Sequence, residues 1–554
     1  MEGIADFLDS LIGGVDLIFY SALVGGLLWA NFLLRPWQES HDYNPLMLQK
    51  IITLIFKAAC FLAFAQLFKV VLKIWLMTAI LERLPFPEIA DTVQFQGGLV
   101  RMLLTLSVAY YCHQFLKHNP YSKSHWRMAG YIAIPMIVSG AWLVHGAGRF
   151  ENRYLLMFLT VTHQVAAAAW IGGVFQLVNI WLLHQRKEIP AHLWPQFLKS
   201  FSPFGITGVV LLLGTGLPMA FQYIDSINGF IGTGYGNLLM AKILLLGLAL
   251  GFALLNRNEV KQFQLTGNNY ALNQRVPYYI EAETFVLITL LFTAASLASQ
   301  PPASDIPNLT ASWQDVVSTF TPRVPRTQSP THEELLAGEA GRVAIIGQVP
   351  SPAATAWSDY NHNISGIFLT VMSFFAMLSY AKRLPSAFSL FDGCLKHTRY
   401  WPFGFVALGV FLFFRSDAES WPLGPIGFWE STFSNGEVLQ HRIATLLVFV
   451  LGILELQARK SKNENTKMPY FFPILAAFGG LMLLTHSHVG FQPKSAFLIQ
   501  VGHTMMGVMS LILACGRWLE LKLDKPGKDI AGFVSVAALF LIGLILMFYR
   551  EPLY

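Results

Sequence analysis

The stretch "NLLMAKILLLGLALGFALLNR", Asn237 to Arg257, runs twenty-one residues with a single internal charge, Lys242, before it closes on a basic residue. A hydrocarbon core about 30 Å thick is crossed by about 20 apolar helical residues at 1.5 Å each, so the run reads as a membrane-spanning helix. Similar runs are centred near Leu23, Ala59, Leu106, Met136, Ala167, Leu213, Leu248, Thr289, Thr370, Leu408, Val448, Ala477, Met509 and Leu539. They predict an all-α, polytopic membrane helix bundle of about fourteen transmembrane helices in a lipid bilayer. The totals agree, since 54% of the 554 residues are apolar, only 13% are charged, and mean hydropathy is +0.49. A soluble chain of this length would need charged surface that this composition lacks.

The opening residues "MEGIADFLDS" are acidic where a cleaved signal would be basic, so the first span is expected to be retained. Cys60, Cys112, Cys394 and Cys515 form no C-x-x-C pair and imply neither a disulfide framework nor a thiolate metal site. Twenty-three lysines and arginines fall in the loops after odd-numbered spans, against nine on the opposite side with the tails. By the positive-inside rule both termini are expected on the outer, periplasmic side. The net charge of +6 is then a topology signal, and a nucleic-acid partner is not expected. A Pro-, Ser- and Thr-rich outer segment divides the chain into residues 1–303 with eight spans, a linker loop 304–360, and residues 361–554 with six spans.

Histidine is costly in hydrocarbon and rarely idle there. Of fifteen, five fall at the outer ends of helices in the second half: His362 opening span nine, His441 opening span eleven, His486 and His488 closing span twelve in "LLTHSHVGF", and His503 opening span thirteen. Imidazole suits copper, zinc and haem iron alike, and Met505, Met506 and Met509 offer thioethers that select Cu(I) if they face the histidines. The plainer reading makes them interface residues bonded to loop carbonyls. In a helix His486 and His488 diverge by about 200°, so one metal is not expected to take both. In the first half His145 lies near the outer end of span four, and His163 lies about ten residues into span five. Buried charges complete the candidates: Arg101, Lys242, Glu281 and Glu283, as an ion path or as buried pairs such as Lys242 with Glu283.

The ordered motifs "THQVAAAAWIGGVFQL", "FLKSFSPFGITGVVLLLGTGLPMAF", "GTGYGNLLMAKILLLGLALGFALLNR" and "EAETFVLITLLFTAASLASQPPA" resemble the CopD copper-resistance domain, over residues 154–303. The preceding "WLVHGAG" resembles that family's upstream histidine helix, and the portion after the linker resembles the extension of long CopD-type proteins. The resemblance implies an inner-membrane protein handling copper, often beside a separate CopC-type periplasmic copper-binding protein. It carries over His145 and His163, and more weakly Lys242 and Glu283. Transport of the copper ion, secondary or passive, is the leading expectation; an ATP-driven pump is not expected, because no G-x-x-x-x-G-K-[ST] loop is present, and no enzymatic activity is expected. The alternatives are a membrane cytochrome with haem b held by two outer histidines, and a copper-binding scaffold that does not transport.

Overall fold

The computed structural model describes residues 2–34, 44–118, 123–339, 351–381, 400–460, 466–485 and 493–552. Among these the regular structure is helical, apart from an isolated bridge between Ser420 and Ile426. The long helices are α1 (Phe7–Leu34), α2 (Pro45–Leu81), α3 (Val93–His118), α4 (Lys123–Ser139), α5 (Arg153–Gln185), α6 (Leu193–Tyr223), α7 (Gly234–Thr266) and α8 (Val276–Ser299). They continue with α9 (Pro352–Ala381), α10 (Phe403–Arg415), α11 (Gly436–Lys460), α12 (Phe471–Leu484), α13 (Pro493–Lys522) and α14 (Gly527–Met547). Each expected centre falls inside one of them. By length and composition ten of the described helices are able to cross a membrane. The other four fall short for visible reasons. α10 and α12 are short, α4 has 17 residues with Pro135 inside it, and α3 carries Gln94, Gln96, Arg101, His113, Gln114 and Lys117.

The chain divides into two compact units. The amino-terminal unit holds Asp9–Asp225 and Leu246–Ser299; the carboxy-terminal unit holds Met1–Leu8, Ser226–Leu245 and Gln300–Tyr554. Residues 226–245 thus group with the later part of the chain.

In the amino-terminal unit α1 is wound as π-helix over Ser21–Gly25 and Ala30–Leu34. It crosses α5 at backbone distance, where a Cβ on Gly25 would stand 1.9 Å from the Ala168 carbonyl oxygen and one on Gly172 2.1 Å from that of Ser21. Small residues let helix backbones approach this closely in a membrane, where packing replaces the hydrophobic drive. The start of α2 is fixed by Asn44, whose side chain accepts from the backbone N–H of Leu46 and Met47, with proline in the first helical position.

In the carboxy-terminal unit α14 packs against α9 and α13, α12 against α13, and α10 against α11. Its apolar core includes Leu369, Met372, Phe405, Leu408, Phe472 and Leu539. At the basic ends of these helices a buried charge network closes the core. Glu455 of α11, 1% exposed, takes Arg459 Nε and Arg517 at 2.8 Å each, Arg517 also holds Glu520 at 2.7 Å, and Tyr380 donates to Glu520 at 2.6 Å. Two guanidinium and two carboxylate groups cancel, which is how charge is tolerated away from water.

The segment expected to be an irregular outer linker contains two short helices, Trp313–Phe320 and His332–Glu339. The first is capped by the reciprocal Ser312–Asp315 pair, and Asp315 also binds Lys494 at 2.8 Å. Between the helices, the Arg326 N–H donates to Asn363 of α9 at 2.7 Å, and Arg415 reaches Ser329 with its guanidinium 3.6 Å from the centre of the Trp357 ring.

Candidate functional site

His163 stands ten residues into α5, which starts at Arg153. Its Nδ1 lies 3.0 Å from Thr215 Oγ1 on α6. That hydroxyl lies 2.7 Å from the Leu211 carbonyl in its own helix. The contact orients the ring, and a hydroxyl whose proton rests on the Leu211 carbonyl would take the imidazole proton at Nδ1. Gly216 makes room for the ring, since a Cβ there would stand 3.0 Å from His163 Cε1. A neutral imidazole oriented through Nδ1–H is the usual state of a metal-binding histidine.

His145 lies in a short 3₁₀ turn, His145–Gly148, beyond the end of α4 at Ser139, and not within a spanning helix. It is exposed, and its Nε2–H donates to the Ala298 carbonyl at the end of α8. The turn packs on Leu156 of α5 through Gly146, about 10 Å before His163 at 1.5 Å per residue.

Arg101 is 8% exposed and pairs with Asp16 of α1 at 3.6 Å, with the Tyr20 ring centre 5.3 Å from its guanidinium. Glu283 of α8, 2% exposed, takes its hydrogen bonds from neutral donors, the Trp170 indole at 3.2 Å and the Asn256 amide at 3.1 Å. Glu281 is half-buried on the same helix, and Lys242 is half-buried on the part of α7 that belongs to the carboxy-terminal unit.

In that unit three of the five histidines expected at outer helix ends are described; His486 and His488 lie outside the described residues. His362 and His503 each stand ten residues into their helices, from Pro352 and Pro493, and do not open them as the apolar runs suggest. The polar residues before each run are helical too. His362 Nδ1 faces the Ser358 carbonyl at 2.8 Å and His503 Nδ1 that of Ile499 at 2.9 Å. His441 turns to Asp417, Nδ1 to Oδ1 3.4 Å. Met506 is packed in the core, Met509 packs against it, and Met505 is exposed. Among the described residues no group of three or more His, Cys, Asp or Glu side chains is arranged to hold a metal ion.

A short segment after α14 completes this end. Ser358 and Tyr549 donate to Glu551 at 2.7 and 2.9 Å, the Glu551 N–H donates to Asp359 at 2.7 Å, and Arg550 approaches Asp359 at 3.9 Å. Burial raises the Glu551 carboxyl above its usual range, opposed by those two hydrogen bonds and by His441. Burial beside Glu551 likewise raises Tyr549 well above a normal phenol.

Sequence reasoning missed Asp16, Glu455, Glu520 and Glu551. The signal was present for Asp16, an acid inside the first apolar run and the needed counter-charge for Arg101.

These features define a multi-pass membrane protein of apolar helices with histidines set inside its bundles. Residues 195–297, from α6 into α8, match the CopD family, described as Copper resistance protein D. Over that region the chain is similar to the CopD family. The match takes in Thr215 and Glu283 and is narrower than the 154–303 expected; His163 precedes it. The chain is also 25% identical over 201 residues to a Bacillus subtilis (strain 168) protein named "Copper transport protein CutJ". That alignment takes in 36% of this chain and about a third, 35%, of the relative. No solved structure matches the chain.

Proposed function

We propose that this protein moves copper across a bacterial inner membrane, with both termini outside, fourteen helices spanning, and no enzymatic step of its own. The observation that carries the reading is the His163–Thr215 pair, in which the CopD-matched helix α6 orients an imidazole inside a membrane helix. His145, nearer the start of α5, hands the ion to His163. An ion released by a separate CopC-type protein outside is the expected source. Buried Glu283, held by neutral donors, is available as a counter-charge to a passing cation.

Copper uptake into proteoliposomes, followed with radiolabelled copper, tests this. His163→Ala is expected to lower the rate at least about tenfold, the lower end of what metal-ligand surroundings are worth, with the helical content of the protein retained. Unchanged flux in that variant removes His163 from the path, and absence of flux in the wild type rejects transport.

A further inference from the structure

Glu283 is a carboxyl group that the helices of the amino-terminal unit shut away from water. Its two oxygens are served separately. The Trp170 indole N–H of α5 donates to Oε1 at 3.2 Å, and Asn256 Nδ2 of α7 donates to Oε2 at 3.1 Å. Both donors are neutral, and among the described residues no cation pairs with this carboxyl. An ionised carboxylate left in such surroundings is costly enough that the group takes up a proton instead. Asn256 is fit for either state. As placed it offers N–H to a carboxylate, and its Oδ1 is buried without a partner. The same amide turned end for end presents that oxygen to Oε2, as the acceptor for an acid O–H. The indole suits both forms, because Oε1 accepts in each.

The carboxyl is also tied to the face of α5 that carries His163. Trp170 follows His163 by seven residues, which returns within about 20° of the same direction about 10 Å further along the helix. The charged groups nearby turn elsewhere. Glu281 lies about 200° round α8 from Glu283, Arg257 beside Asn256 is exposed, and Glu259 of α7 pairs with Arg275 at 3.3 Å. α1 meets α8 at Phe292 and Ala295, more than two turns past Glu283.

We propose that Glu283 is a proton-exchange site of the transport cycle, holding a proton while the path is empty and giving it up to water as a copper ion passes. This rests on the reading that copper is the cargo. The O–H bond breaks with its electron pair left on the carboxylate, the proton goes to water, and the carboxylate balances the passing charge; nothing is oxidised. A proton suits the site better than a resident metal ion. It needs one lone pair, whereas a hard cation takes about six oxygen ligands, and here two N–H groups point at the carboxyl. The coupling does not require contact. By Coulomb's law at an effective dielectric of about 20, a unit charge about 10 Å from the carboxyl shifts its ionisation about fifteenfold toward the carboxylate. Linkage is reciprocal, so the chain with Glu283 ionised binds the ion about fifteenfold more tightly than the chain with the acid.

Infrared difference spectra of the purified full-length chain, copper-loaded minus copper-free, give the test with Cu(I) and with Cu(II). Wild type is expected to lose a protonated-carboxyl C=O band that shifts in D2O, and to release a proton to an indicator dye on loading. Glu283→Gln keeps the shape and hydrogen bonds of the acid and is expected to do neither. From low to high pH, copper affinity is expected to rise about fifteenfold more in wild type than in this variant, since protonation of histidines is common to both. A wild-type carboxyl band that neither copper ion changes overturns the proposal. So does a band loss, proton release or pH dependence that Glu283→Gln retains in full. Copper flux into proteoliposomes separates the two readings: flux with no proton exchanged leaves transport standing and overturns this site, and proton exchange without flux rejects transport alone.

Discussion

Thr215 orients His163, and with its own proton on the Leu211 carbonyl inside α6 it would accept from the imidazole at Nδ1. Thr215→Val keeps the shape and removes the acceptor, so the imidazole loses its orientation. Copper affinity read from the concentration dependence of flux is expected to fall about 10- to 100-fold, as for other partners that orient a metal-binding histidine. The fold is expected to lose only about 1 kcal/mol, the net value of one hydrogen bond. Unchanged affinity in Thr215→Val would mean that His163 does not meet the ion through Nε2. His163 was legible from its depth in an apolar run, and Arg101 from its charge in lipid. Their partners Thr215 and Asp16 were not, because each sits on another helix and a single sequence carries no register between helices. Met506 shows the opposite failure: its sulfur suggested a ligand, and its position is core packing.

Among helices, existence was easier to read than extent. Every expected centre lies in a helix, yet α9 and α13 begin well before their apolar runs, which moved His362 and His503 from helix ends to three turns inside. The polar residues ahead of each run, "PAATAWSDYN" before His362 for instance, where the proline takes the first helical position and no breaker follows it, are compatible with a helix, and hydropathy is blind to them. The α1–α5 crossing was equally invisible, because a glycine in a transmembrane run is too common to mark a contact by itself. It makes a sharp prediction. Gly172→Ala forces a methyl group to 2.1 Å from the Ser21 carbonyl oxygen, a backbone atom that cannot rotate away. Separation of the two helices is expected to cost about 1–3 kcal/mol, in the range of overpacked cores, seen as a lower melting temperature in detergent. Ala at Gly247, where nothing lies within 4 Å, is the control expected to melt like wild type.

For the whole molecule, the expected orientation comes from the distribution of lysine and arginine, and the proposed direction of copper capture depends on that orientation. Alkaline phosphatase fused after Tyr554 is expected to be active, and fused after Lys462, in the basic loop between spans eleven and twelve, inactive; the reverse pattern would invert the molecule. Depth in the membrane then acquires an electrical meaning. α5 has 33 residues, about 50 Å, of which about 30 Å lies in hydrocarbon, so a centred helix carries His163 about 5 Å below one face. An ion resting there has crossed only about a sixth of the transmembrane voltage, and 100 mV alters its occupancy by about 0.4 kcal/mol per unit charge, close to twofold. The other five sixths of the field acts after the ion leaves the imidazole, so membrane potential would govern the crossing and scarcely touch capture.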